Sequence, residues 1–509
     1  MNMRTLQDQH VLILGLGVSG LAMARWCAGR GARVTVADTR TAPPQLAALQ
    51  RDLPDARFVS GALDAALRQG ADVCAVFKSP GLTPKDVAAV AALARTRGLA
   101  LCGELGLFSK ALAELRTERD YRPSVLAITG TNGKTTVTSL TAQLVQRAGK
   151  TVAMAGNIGP TLLDTLSQRL ADATLPEVWV LELSSFQLDG ETGFEPSAAT
   201  VLNITQDHLD WHENMAAYAR AKANIFGQRG LLVLNREDRQ VMALLTPQLK
   251  PKRAATTYRP HLTFGADSPT RAGDFGLEPA GGLLWLVRAE GVGAPPRKAA
   301  PTAAEQELYL QRLMPVDALR IRGRHNAVNA LAALALASSV DCAMGPMLYG
   351  LREYRGEPHR VQSIGVLGEV EFFDDSKGTN VGATVAALCG LGAERRVVVI
   401  MGGQGKGQDF SPLAPAVARY ARAVVLIGRD APLLRAALQA CGVALIDVAS
   451  LEQAVTQAAA LAQPGDAVLM SPACASYDMF EDYQHRARVF VAAVQAQARL
   501  AGVRLEEQP

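Results

Sequence analysis

The stretch "SVLAITGTNGKTT", residues 124–136, decides the fold of this 509-residue chain. Its first six residues form a short apolar run of the kind that makes a buried strand. The segment after it reads as a helix, with Val137, Leu140 and Leu144 on one face. Between them, the backbone amides from Gly130 through Thr131, Asn132 and Gly133 to Lys134 can wrap a polyphosphate. Lys134 can neutralise it, and the Thr135 hydroxyl can ligate Mg²⁺. The common phosphate loop has Gly five residues before the second glycine, and here Ile128 stands there. A plain strand-to-helix turn accounts for the glycines but not for a lysine followed by two hydroxyls, Thr135 and Thr136. A nucleotide site on a parallel sheet is therefore expected.

Two more glycine turns flank this one. "GLGVSG" at 15–20 follows "VLIL" and opens a helix, and Asp38 ends the next strand, "RVTVAD", about 20 residues on. Gly15, Gly17 and Gly20 permit tight turning beneath a diphosphate, although glycines that only pack helix against strand would give the same pattern. "GGQGKG" at 402–407 lacks the hydroxyl after Lys406 that would hold Mg²⁺. Each turn lies in its own alternation of strands and helices. The first runs to about residue 100, the second includes "EVWVLELSS" and "AATVLNIT", and the third includes "RVVVIMGG", "AVVLIG" and "DAVLMSP". An α/β protein of three domains follows: residues 1–105, Rossmann-like; 106–356, a P-loop-type mononucleotide-binding unit; and 357–509, again Rossmann-like. Residues 251–313, with "HLTFG" and "GLLWLVRAEG", read as a β-rich insertion in the central unit, carrying a mobile loop "GVGAPPRKAAPTAA".

Composition narrows the function. Lys and Arg number 52 against 48 Asp and Glu, and the one tight basic cluster, Lys250, Lys252 and Arg253, reads as a solvated loop, so nucleic acid is not an expected partner. Seven cysteines, never in a C-x-x-C pair, indicate neither a disulfide framework nor a zinc knuckle and fit a reducing compartment. The apolar N-terminal run is broken by glycines and reads as strand, turn and helix rather than a signal peptide, and no stretch is long enough to span a membrane. Composition leaves the oligomeric state open.

Metal chemistry needs carboxylates at strand ends, and Glu182 in "LELSSFQL" has that position. "TQDHLDWH" supplies Asp207, His208, Asp210 and His212, which a helix cap with surface histidines would explain equally well. Lys222 in "ARAKANIF" reads locally as an ordinary helix-surface lysine. Cys474 reads as a small buried residue rather than a nucleophile. On "GLGVSG" and Asp38 alone, an NAD-dependent dehydrogenase is a competing reading.

Taken in order, "GTNGKTT", "LELSSFQL", "DHLDWH", "AKANIF", "HNAVNALAAL", "EPHR", "DDSKGTN", "GGQGKG" and "SPACASYDMF" resemble the Mur ligases. The resemblance runs from about residue 11 to about 490 and leaves out only 251–313. It implies an ATP-dependent amide ligase of peptidoglycan synthesis, joining D-glutamate to UDP-N-acetylmuramoyl-L-alanine through an acyl phosphate. Two Mg²⁺ ions are implied, one on Thr135 and Glu182 and another on His208, with Lys222 as a carbamate ligand. Besides the phosphate loop, the ATP residues would be Asn326, Asn329, Arg360 and Asp375. The first glycine turn, Asp38, Thr39, Arg40, Ser79 and Asn157 would hold the nucleotide-sugar. Glutamate would fall to Lys377, Thr379, Lys406, Ser476 and Tyr483, the last standing where the family carries Phe. A sister ligase using another amino acid is the nearest alternative.

Overall fold

The computed structural model describes residues 6–248, 257–291, 307–503 and 505. Among the described residues three large sheets carry the chain, each built from the short apolar runs of the sequence, beside a two-stranded ladder of Pro247–Gln248 with Thr257–Tyr258. In the first, five parallel strands lie in the order Arg57–Ser60, Arg33–Asp38, His10–Leu14, Val73–Lys78 and Ala100–Cys102. The order reverses between His10–Leu14 and Val73–Lys78, and the first glycine turn lies at that switch point, where doubly wound sheets bind ligands.

The second sheet has nine strands, and its parallel core runs Leu231–Asn235, Ala198–Val201, Ser124–Thr129, Val178–Glu182 and Val152–Gly156. The inner strands are buried on both faces, which is why they read as unbroken apolar runs, whereas the edge strand Val152–Gly156 leaves Met154 exposed. The β-rich expectation for 251–313 holds among the described residues, but the strands extend the central sheet itself. His261–Phe264 pairs parallel with Leu231–Asn235, and Phe275–Ala280, Leu283–Gly291 and Leu308–Pro315 follow, the last two antiparallel to their neighbours. Most of the loop "GVGAPPRKAAPTAA" and the cluster Lys250, Lys252 and Arg253 lie outside the described residues.

The third sheet runs Gln362–Leu367, Val370–Asp374, Ala467–Met470, Val397–Gly402, Ala421–Ile427 and Ala444–Asp447, parallel except for the first pair. The helix Glu104–Arg119 joins the first two sheets through a shared core, in which Phe108 meets Trp179 edge-on with ring centroids 5.2 Å apart. The alanine-rich helix Arg324–Ser338 packs on the phosphate-loop helix Lys134–Arg147, its small side chains wholly buried. The carboxyl ends of the central strands thus face the third sheet across a cleft.

Candidate active site

At the first glycine turn, a Cβ on Gly20 would lie 2.0 Å from the Gly15 carbonyl oxygen, so only glycine lets the helix start pack this closely. The Ser79 hydroxyl donates to that same carbonyl at 2.8 Å. Asp38 is almost fully buried, and its carboxylate accepts from the Leu16 N–H at 2.7 Å and from the Arg40 backbone and guanidinium at 2.8–2.9 Å. Burial alone would raise its pKa, but the Arg40 and Leu16 hydrogen bonds override that and hold it at about 2. The carboxylate therefore fixes the turn, while Thr39 and Arg40 stand exposed beside it.

The second turn closes the strand Ser124–Thr129. Gly133 takes a φ of +83° as helix cap, and a Cβ there would come within 2.9 Å of the Asn329 side chain. The loop is braced from behind: the Asn132 N–H donates to Asn203 Oδ1 at 2.8 Å, and Thr131 Oγ1 accepts from the Thr205 N–H at 3.0 Å. Lys134 Nζ donates to the Gly130 and Thr131 carbonyls, both at 2.8 Å, and burial lowers its pKa.

A cavity of about 250 Å³ opens over this loop. Thr131, Asn132, Lys134 and Thr135 form its floor, Asn157, Glu182 and His208 one wall, and Arg360, Lys377, Thr379 and Lys406 of the third sheet's loops the other. The structure thus brings together residues that are far apart in sequence. Arg360 reaches across to donate to Thr135 Oγ1 at 2.6 Å. An adjoining cavity of about 110 Å³ is lined by Asn132, Gly133, Thr136, Asn326, Asn329, Arg360 and Asp375. Burial pushes the Asp375 carboxyl up to about 7, against the pull of the Ser471 hydroxyl bonded to it at 2.6 Å. Ser476 is buried outside the linings of both cavities, whereas Tyr483 sits behind Lys377, whose Nζ is 5.2 Å from the ring centroid.

Glu182 Oε1 accepts from Asn157 Nδ2 at 2.7 Å, but Oε2 is buried without a hydrogen-bond partner. An orphaned carboxylate oxygen beside a threonine hydroxyl and a phosphate loop suits a hard cation. Among the described residues no group of three or more His, Cys, Asp or Glu forms a cage. Burial keeps His208 below its ordinary pKa, with Lys134, Lys222 and Lys406 adding to the effect against Asp207, which favours the neutral imidazole that can ligate a metal.

Lys222 departs from its local reading. It is 1% exposed, lies over the Tyr218 ring at 4.6 Å, and donates to the Gly130 carbonyl at 2.9 Å. Burial first, then the neighbouring Lys134 ammonium, depress its pKa well below the usual lysine range. His212 is also buried, bonded to the Ser185 hydroxyl at 2.9 Å. Cys474 is wholly buried, and burial pushes its thiol up to about 12, as suits an inert packing residue.

Four contributors escape sequence reasoning. Tyr218 hydrogen-bonds Thr131 at 3.2 Å and supports Lys222 from one helical turn earlier, a spacing that could have signalled it. His359, beside Arg360 in "EPHR", pairs with Asp374 at 2.6 Å. The buried Arg486 donates to the Ser376 and Cys474 carbonyls and has no local signal. Asn380 meets Asn132 across the cleft.

Three family descriptions match the chain: the Mur ligase MurD-like N-terminal domain at residues 9–101, the Mur ligase middle domain at 128–290, and the Mur ligase glutamate ligase domain at 359–474. The chain belongs to the Mur ligase family. The middle-domain match runs on to residue 290, so the strands His261–Phe264, Phe275–Ala280 and nearly all of Leu283–Gly291 fall within it, although the motif resemblance left 251–313 out. The chain is 69% identical over 504 residues to the UDP-N-acetylmuramoylalanine--D-glutamate ligase of Albidiferax ferrireducens, covering 99% of both proteins. It is 56% identical to that of Cupriavidus pinatubonensis, covering 98% of this chain and 99% of the other. Two solved Mur ligases of Thermotoga maritima share the fold. The UDP-N-acetylmuramate-alanine ligase superimposes with a TM-score of 0.54 at 20% identity, covering 96% of this chain and all of the other. The MurF ligase in complex with ADP gives 0.55 at 15% identity, covering 98% and 97%.

Proposed function

We propose that the chain is an ATP-dependent, ADP-forming ligase of cytoplasmic peptidoglycan precursor synthesis, which joins D-glutamate to the alanyl carboxylate of UDP-N-acetylmuramoyl-L-alanine. The observation that carries this reading is the full-length 69% relative of that name, in a chain whose 250 Å³ cavity gathers phosphate-loop, carboxylate and lysine side chains. The corresponding division of labour is 1–105 for the nucleotide-sugar, 106–356 for ATP and 357–509 for the amino acid.

A carboxylate is a poor electrophile. Transfer of the γ-phosphoryl of ATP onto one carboxylate oxygen makes an acyl phosphate and releases ADP. The amine of glutamate then attacks the acyl carbon, phosphate leaves with the C–O bonding pair, and the amine proton passes to solvent. Catalysis is largely positioning and charge neutralisation. Lys134 would leave the Gly130 and Thr131 carbonyls to follow the moving phosphoryl group. Asn326, Asn329, Arg360 and Asp375 would hold the rest of ATP in the adjoining cavity. Thr135 and Glu182 are suited to one Mg²⁺ and His208 to a second, with Lys222 as a carbamate toward them; the ions would neutralise phosphoryl oxygens. The neutral amine is the form that captures CO₂, and burial, which depresses the Lys222 pKa well below the usual lysine range, favours that form and so supports the carbamate.

Lys377, Thr379 and Lys406 line the side of the cavity away from the sugar site, and two ammoniums with a hydroxyl suit the two carboxylates of glutamate. Tyr483 would back that pocket from behind Lys377, and Ser476, buried outside the cavity lining, would reach glutamate only after a local rearrangement, while the first glycine turn with Asp38, Thr39, Arg40 and Ser79 would hold the uridine diphosphate and Asn157 the muramoyl side. A cytoplasmic monomer fits this role, and among the described residues no helix is long and apolar enough to cross a membrane. The test is phosphate release from ATP and Mg²⁺. It should require both UDP-N-acetylmuramoyl-L-alanine and D-glutamate, and release without either would overturn the reading.

A further inference from the structure

The helix Val381–Gly392 begins directly across the cleft from the phosphate loop, and its cap residue, Asn380, belongs to both sides. Asn380 Oδ1 accepts from the Ala383 N–H at 2.9 Å, as an N-cap does. The same side chain crosses to the central unit. Its Nδ2 donates to Asn132 Oδ1 at 3.0 Å, and Asn132 Nδ2 donates back to Asn380 Oδ1 at 3.2 Å. Asn380 Nδ2 also lies 3.4 Å from Asp207 Oδ2, next to His208. The residue is 6% exposed, so this exchange is largely sheltered from water.

Two further features mark the contact as built. A Cβ on Gly382 would lie 2.9 Å from Thr205 Oγ1 and 3.1 Å from Asn132 Nδ2, so the missing side chain lets the helix start approach the loop. Asn132 is itself locked in place, its N–H on Asn203 Oδ1 and its carbonyl taking Asn203 Nδ2 at 3.1 Å. It lines both the 250 Å³ and the 110 Å³ cavities and so forms part of the wall between them. On the other side, Asn380 follows directly on Lys377 and Thr379.

We infer that Asn380 is a positioning residue that clamps the amino-acid side of the cleft onto the phosphate loop through the reciprocal amide pair with Asn132, so that ATP and glutamate stabilise one closed arrangement. The inference rests on the functional reading above. Both ligands lie between the second and third units, so the clamp raises the population of the state that binds each. The nucleotide-sugar, held between the first and second units, is indifferent to it.

The test uses Asn380→Ser, which keeps an N-cap oxygen but is too short to reach Asn132. KM for ATP and KM for D-glutamate should both rise roughly tenfold, the loss of one to two ordinary hydrogen bonds, with KM for the nucleotide-sugar and Tm unchanged. Calorimetric titration of the full chain with Mg²⁺ and a non-hydrolysable ATP analogue should show the same loss without any turnover. Gly382→Ala, which improves helix propensity, should nonetheless weaken binding in the same direction. In combination with Asn132→Ala, the Asn380→Ser change should add nothing further. Wild-type KM values and analogue affinity in Asn380→Ser, or losses that multiply in the double variant, would overturn the inference. An unreactive wild type whose analogue affinity still falls on Asn380→Ser would overturn the functional reading and leave the clamp standing.

Discussion

Glu104 opens the helix that joins the first and second sheets, and its carboxylate Oε1 accepts from the Leu163 N–H at 2.9 Å, at the start of the helix Leu162–Ala171. It is 2% exposed and its other oxygen has no hydrogen-bond partner. Burial raises its pKa from an ordinary 4.5 to about 7, only partly offset by the Leu163 N–H and the Ser19 hydroxyl. A carboxyl whose folded pKa is raised binds its proton more tightly in the native state. Its contribution to stability is therefore fully present below about pH 4.5 and is lost as pH rises through about 7. Between pH 5.5 and pH 8 the loss is about 2 kcal/mol. Glu104→Gln removes the titration while its amide oxygen can still take the Leu163 N–H. The variant should gain about 2 kcal/mol on the wild type over that interval, roughly 4–8 °C in Tm for a unit of 150–250 residues. Thermal unfolding of both proteins at the two pH values measures this directly, and parallel Tm values would refute the assignment of a buried, proton-binding Glu104 at the joint.

Other outcomes follow from the cleft and its supports. Glu182→Gln is isosteric and leaves the Asn157 contact possible, so Tm should hold while kcat falls at least a hundredfold, as steady-state phosphate release at saturating substrates would report. Lys222→Ala should be inactive, and wild-type protein freed of CO₂ should lose activity and regain it with bicarbonate; full activity of the variant would exclude the carbamate. Arg486→Met should destabilise the third unit by about 3 kcal/mol or more, read by urea unfolding, because the Ser376 and Cys474 carbonyls lose a buried donor.

The three α/β units were readable because buried parallel strands write themselves as apolar runs and each glycine turn follows one of them. The strands from His261 to Pro315 were readable as β, but not as part of the central sheet. Their edge-to-edge pairing joins distant residues, such as Leu232 and His261, and short segments rich in Gly and Pro carry no register information. The strand, glycine turn and helix around residues 124–147 were legible, since that local pattern is contiguous in sequence. Lys222 was not, because it is buried against Thr129 and Gly130, more than ninety residues earlier, to which its Nζ is bonded. Asn380 and Arg486 were hidden for the same reason: an asparagine before a helix announces a cap, and nothing nearby in sequence announces Asn132 across the cleft.

The central claim is that this cleft makes an amide bond. Mass analysis of the products formed from ATP, Mg²⁺, UDP-N-acetylmuramoyl-L-alanine and each glutamate enantiomer tests it most directly. The account predicts a nucleotide-sugar heavier by one glutamyl residue with the D-enantiomer only, formed in equal amount to ADP and phosphate. ADP and phosphate accumulating without that product, or the same product from L-glutamate alone, would contradict it.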